Sequence, residues 1–177
     1  LKNNEPLDTC EYLIEKGHKR IGFVTGFAES YGTVRSINGY RISMKNHHLP
    51  VDESLIFDAK GSQSEDGYRV TEEEVLKRID DMDAIIYSND DIAIGAMQCF
   101  NDHHIAIPER LSVIGKHNIP ASSSTLPPLT TSMDITELSS EYRDIILLLD
   151  SYIQKQPDHE IKKRMEVLKE LPTKTVI

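Results

Sequence analysis

The chain has 177 residues, with 20 Lys and Arg against 29 Asp and Glu, a formal net charge of −9 at pH 7. Its longest basic run is Lys162-Lys163-Arg164, so it lacks the cationic face that binding a phosphate backbone requires. A content of 38% hydrophobic and 28% charged residues excludes a disordered chain, and no stretch approaches the roughly 18 to 20 apolar residues of a membrane helix.

The opening segment, LKNNEPLDTC, has neither an initiating Met nor an apolar signal core, so the chain reads as cytoplasmic and as cut from something longer. A first helix is expected over about Pro6 to Lys16, with Pro6 suited to its first turn and Gly17 to its stop. Four short apolar runs then read as strands: Ile21 to Thr25, Leu55 to Asp58, Ala84 to Tyr87 and Leu111 to Ile114. Between them, apolar residues recur at helical spacing: Val34, Ile37 and Met44; then Tyr68, Val75 and Ile79; then Ile92, Ala93, Ala96, Met97 and Phe100. The helices containing Gly39-Tyr40 and Gly95-Ala96 each end at a histidine pair, His47-His48 and His103-His104, and turn through a proline. Strands and helices alternating at these lengths imply an α/β lobe, a doubly wound parallel sheet covered on both faces, over about Lys19 to Asn118.

After Pro120 the pattern changes. Ala121 to Pro128 is rich in small residues and proline, as suits a crossover. A long helix follows, striped by Leu138, Tyr142, Ile145, Ile146, Leu149 and Ile153, and Thr173 to Ile177 reads as a closing strand. Cys10 and Cys99, each among apolar residues, read as buried thiols.

Ligands of open parallel sheets bind outside the carboxyl ends of the strands, so the residues following each run are the candidates. Asp90 stands out, because a carboxylate at a strand end can accept two hydroxyl hydrogen bonds; a helix N-cap is its alternative role. No nucleophile elbow, phosphate-binding loop or metal motif is present, so no enzyme, cofactor or metal is expected. The histidine pairs are assigned to helix ends, where the dipole favours them.

Several segments, in order, resemble the effector-binding core of the LacI/GalR family of bacterial transcription regulators. They are Gly17-His18-Lys19-Arg20-Ile21, Gly39-Tyr40, Ser64 to Tyr68, Asn89-Asp90-Asp91-Ile92-Ala93-Ile94-Gly95-Ala96, Ile107 to Gly115, and Pro127-Pro128-Leu129-Thr130-Thr131. The resemblance implies a type I fold of periplasmic-binding-protein kind, with one lobe whole and remnants of the other. Residues 1–18 would be the last helix of the first lobe, 19–118 the second lobe, 119–157 the crossover and helix of the first lobe, and 158–177 a tail returning to the second. It further implies a regulator, probable in kind as a repressor, that senses a small carbohydrate-like effector, forms a homodimer and binds DNA through an N-terminal head absent from this chain. A solute-binding protein of a transport system shares the fold and is the alternative.

The resemblance marks Asn89, Asp90, Arg35, Ser36, Lys116 and His117 as effector-site positions. Ser36 stands where the family carries arginine, and Arg35 is one residue, or about 100° of helix, away. Lys116-His117 replaces an aromatic-acid pair, and a lysine there favours an anionic effector such as a sugar phosphate.

Overall fold

A computed structural model describes residues 9–132 of the chain. The long helix expected over 134–153, the closing strand at 173–177 and the start of the first helix lie outside the described residues.

The first helix, α1 (Thr9–Glu15), stops at Gly17, whose φ of +98° is a left-handed conformation that glycine adopts without strain. Strand β1 (Ile21–Thr25) is buried along its whole length, as a central parallel strand covered on both faces must be. Helix α2 (Tyr31–Asn46) begins where the Ser30 hydroxyl accepts from the Thr33 amide. The second apolar run divides, because the Asp52 carboxylate accepts from the Ser54 amide and winds Glu53–Leu55 into a 3-10 turn, leaving β2 as Ile56–Asp58. Helix α3 (Ser64–Glu73) ends earlier than its apolar spacing suggests, and a 3-10 segment, Val75–Asp81, carries the chain on. There the Arg110 guanidinium draws on the Ile79 and Met82 carbonyls. Strand β3 (Ala84–Tyr87) is again wholly buried, and α4 (Asp90–Asp102) follows. Strand β4 runs Ser112–Lys116, shifted from the expected Leu111 to Ile114. A further strand, β5 (Thr130–Ser132), was not expected from its polar sequence.

All strand pairs are parallel, and the sheet order is β2-β1-β3-β4-β5. Alternate side chains of the inner strands feed two cores. Ile21, Phe23, Ala84, Ile86 and Ile114 pack with Cys10 and Leu13 of α1 and Tyr40 and Met44 of α2. Val24, Ile85, Tyr87 and Val113 pack with Val70 of α3 and with Ile92, Ala96 and Phe100 of α4. The fold is therefore the α/β, doubly wound parallel architecture expected.

Cys10 and Leu13 of α1 are buried in the same core as β1 and β3. Strand β5, within the expected crossover of 119–157, pairs with β4 at the edge of the sheet. The start of α1 and the end of β5 are neighbours, the Thr9 and Ser132 hydroxyls lying 3.1 Å apart.

Helices α3 and α4 cross with backbone touching backbone. A Cβ on Gly67 would collide with the Ile92 backbone, and one on Gly95 with the Ser64 carbonyl. The glycines of the S-x-x-GY and ND-x-x-A-x-GA segments thus serve one crossing. Both thiols are buried. The histidine pairs close α2 and α4 in the same manner: His47 and His103 cap the helices, and His48 and His104 each take φ +57°. Among the described residues, no helix is long and apolar enough to cross a membrane.

Candidate functional site at the carboxyl edge of the sheet

In this strand order the winding direction changes between β1 and β3, and in open parallel sheets it is outside the carboxyl ends of the strands at such a point that the ligand crevice forms. Three loops meet there. The Gly61 amide donates to the Gly26 carbonyl at 3.0 Å, and the Ser88 amide to the Val24 carbonyl at 2.9 Å. A Cβ on Gly26 would stand 3.1 Å from the Gly61 carbonyl oxygen and 3.7 Å from Ser88 Oγ, so glycine lets the loops after β1, β2 and β3 close together. Phe27, next in the chain, is 57% exposed.

Asn89 is the N-cap of α4. Its Oδ1 accepts from the Ile92 amide at 2.8 Å, and its Nδ2 donates to the Ser62 carbonyl at 3.3 Å. The capping role allowed for Asp90 thus falls to its neighbour.

Asp90 is fully buried. Its Oδ2 accepts from the Ile119 amide at 2.9 Å and the Ser122 hydroxyl at 2.8 Å, while its Oδ1 accepts from the Thr131 hydroxyl at 2.6 Å. Three of about four acceptor positions on the carboxylate are filled from within the protein. Asp90, expected to contact a ligand hydroxyl, points inward here and ties α4 to the segment after β4. Gly115 makes room for it, because a Cβ there would overlap Oδ1.

Beyond β4 the chain turns through two successive left-handed residues, His117 at φ +98° and Asn118 at φ +51°. Conformations of that kind cost energy in non-glycine residues and persist only when the surroundings hold them. The His117 amide donates to the Ser132 carbonyl at 2.7 Å and the Asn118 amide to Thr131 Oγ1 at 3.1 Å. The turn leaves His117 exposed and Lys116 half-buried at the edge.

The other expected positions lie on α2, where Arg35 is exposed and Ser36 half-buried. Asp58, the last residue of β2, accepts from the Lys60 amide at 2.9 Å and shapes the loop that follows. Sequence reasoning missed Ser122 and Thr131, which lie beyond the apolar pattern, and Phe27 and Ser62 at the crevice. The Leu-Thr-Thr run was the one visible signal for Thr131. Among the described residues no group of three His, Cys, Asp or Glu side chains is arranged to hold a metal ion.

Comparison with known proteins bears on this geometry. The model of the periplasmic binding protein-like domain matches residues 10–171. The HTH-type transcriptional regulator AscG of Escherichia coli (strain K12) is 34% identical over 140 residues, covering 78% of this chain and 41% of that protein. The crystal structure of the Escherichia coli transcriptional repressor ascG matches with a TM-score of 0.68 at 32% identity, covering 80% of this chain and 52% of the other. A sugar-binding transcriptional regulator of the LacI family from Escherichia coli, complexed with phosphate, matches with a TM-score of 0.65 at 32% identity, over 70% of this chain and 44% of that one. The chain thus spans less than half the length of AscG. It belongs to the periplasmic binding protein-like domain family, as the effector-binding domain of LacI-family transcriptional regulators.

Proposed function

We propose that this domain is the effector-sensing core of a cytoplasmic, homodimeric repressor, that it carries no catalytic activity, and that its ligand is a sugar phosphate bound at the carboxyl edge of the sheet. The observation that carries the reading is the held turn after β4, which presents Lys116 and His117 beside the crevice. Arg35 and Ser36 on α2 and the remaining hydrogen-bonding capacity of Asn89 supply further polar groups at the same edge. A lysine in a partly enclosed edge attracts a phosphate and gains little from a neutral hydroxyl. A sugar-binding LacI-family regulator complexed with phosphate supports an anionic ligand. DNA binding and dimerisation are proposed for the whole regulator, by analogy with relatives named as HTH-type. Effector binding then acts only through its difference in affinity between two arrangements of the regulator. Relatives that are HTH-type regulators favour this reading over a transport solute-binding protein.

The test is a thermal-shift panel of neutral hexoses and disaccharides against their phosphate esters, repeated on Lys116→Ala. A phosphate ester is expected to stabilise the protein, and K116A to weaken its binding by about tenfold, the loss of one charged hydrogen bond. Stabilisation by a neutral sugar alone, unaffected by K116A, would sink the anionic-effector reading.

A further inference from the structure

The edge loop, the buried carboxylate, β5 and the start of α1 form one hydrogen-bonded junction. Thr131 Oγ1 has two partners: it accepts from the Asn118 amide at 3.1 Å and donates to Asp90 Oδ1 at 2.6 Å. A hydroxyl has one proton to give, so the amide above it and the carboxylate below it fix its orientation completely. The same carboxylate holds the Ile119 amide and the Ser122 hydroxyl through its other oxygen. One residue on, the Ser132 carbonyl takes the His117 amide, and the Ser132 hydroxyl meets that of Thr9 at the start of α1. Thus His117, Asn118 and Ile119 all donate their amides to Asp90 or to β5.

We infer that Asp90 and Thr131 are positioning residues for the sensing edge. They hold the left-handed His117–Asn118 turn in place and tie it to β5. Neither touches the ligand in this scheme. Asp90 acts through Thr131, Ser122 and the Ile119 amide, and Thr131 acts through the Asn118 amide. The inference rests on the proposed sensing role of Lys116 and His117 for its consequence, though the hydrogen-bonded junction itself is independent of any ligand.

Thr131→Val removes the hydroxyl and keeps the shape, while Thr131→Ser keeps the hydroxyl. The test compares wild type, T131V and T131S by amide hydrogen exchange on the 177-residue chain, with and without glucose 6-phosphate. In T131V the Asn118 and Ile119 amides are expected to exchange about tenfold faster, with T131S close to wild type and the amides of β1 and β3 unchanged. A merely structural role would raise exchange throughout the sheet and would not sort by the hydroxyl. Should T131V fail to fold, Ser122→Ala removes only the second hydroxyl and is expected to loosen Ile119 in the same way. Unchanged exchange at Asn118 and Ile119 in either variant would overturn the assignment. Where glucose 6-phosphate protects residues 116–118 of wild type, T131V should lose that protection and T131S retain it. A wild-type chain that ignores the sugar phosphate counts against the effector reading alone, because the exchange comparison without ligand still decides the positioning role.

Discussion

A Cβ at residue 115 would stand against Asp90 Oδ1 and 3.1 Å from a Leu129 methyl, with both neighbours buried. Gly115→Ala should therefore push the carboxylate off its donors and destabilise the fold by about 1–3 kcal/mol, measurable as a lower urea midpoint. Unaltered stability would mean that the Asp90 contacts contribute nothing. Burial also sets the chemistry of Cys99, whose thiol is pushed up to about 11, first by desolvation and then by the carboxylates of Glu72 and Asp102. Such a thiol is protonated at pH 8, so alkylation of native Cys99 should be slow and should accelerate sharply in denaturant. Rapid native labelling, read by mass spectrometry of its peptide, would contradict the burial. Asp90 shows how far residue types reach. Its place at a strand end was legible, but its direction was not, because its three donors come from residues 29, 32 and 41 positions further along the chain.

Helices α3 and α4 approach so closely that a methyl on either crossing glycine meets backbone, which cannot rotate away. Gly95→Ala should cost about 2–4 kcal/mol, more than the roughly 1 kcal/mol that alanine returns in helix propensity, and a drop in Tm by calorimetry is the readout. A stabilised variant would show that the helices can part freely. At the start of α3, the Gln63 amide, and after it the Arg69 guanidinium, hold the Asp66 carboxyl below its ordinary 3.8. The cap therefore supports the helix above that pH and is lost as pH falls through the lowered value. Carboxyl NMR should give a midpoint under 3.8; a midpoint at or above it would mean the capping box is open. Strands β1 and β3 could be bounded from sequence because fully buried parallel strands are short apolar runs ended by turns. Strand β5 could not, since Thr-Thr-Ser becomes a strand only by pairing with β4. The packing of α1 is illegible for a related reason: its apolar face is visible in sequence, but the strands it covers, β1 and β3, are a tertiary fact.

At the scale of the whole molecule, the meeting of three loops around Gly26 and the anchored turn at residues 117–118 both lie at the carboxyl edge of the sheet. The opposite edge is differently built. There the Asp83 carboxylate accepts from the Lys19 and Arg20 amides and lies 3.3 Å from His18 Nδ1, so its polar groups are spent on joining β1 to β3. The central claim is that the carboxyl edge senses a phosphorylated sugar. Its most direct test is a titration of the isotopically labelled chain with sugar phosphates, followed residue by residue in amide NMR spectra. Shifts confined to residues 26–36, 61–62, 88–89 and 116–119 are the predicted result. Shifts centred on Arg20 and Asp83, or on the outer faces of α3 and α4, would contradict it.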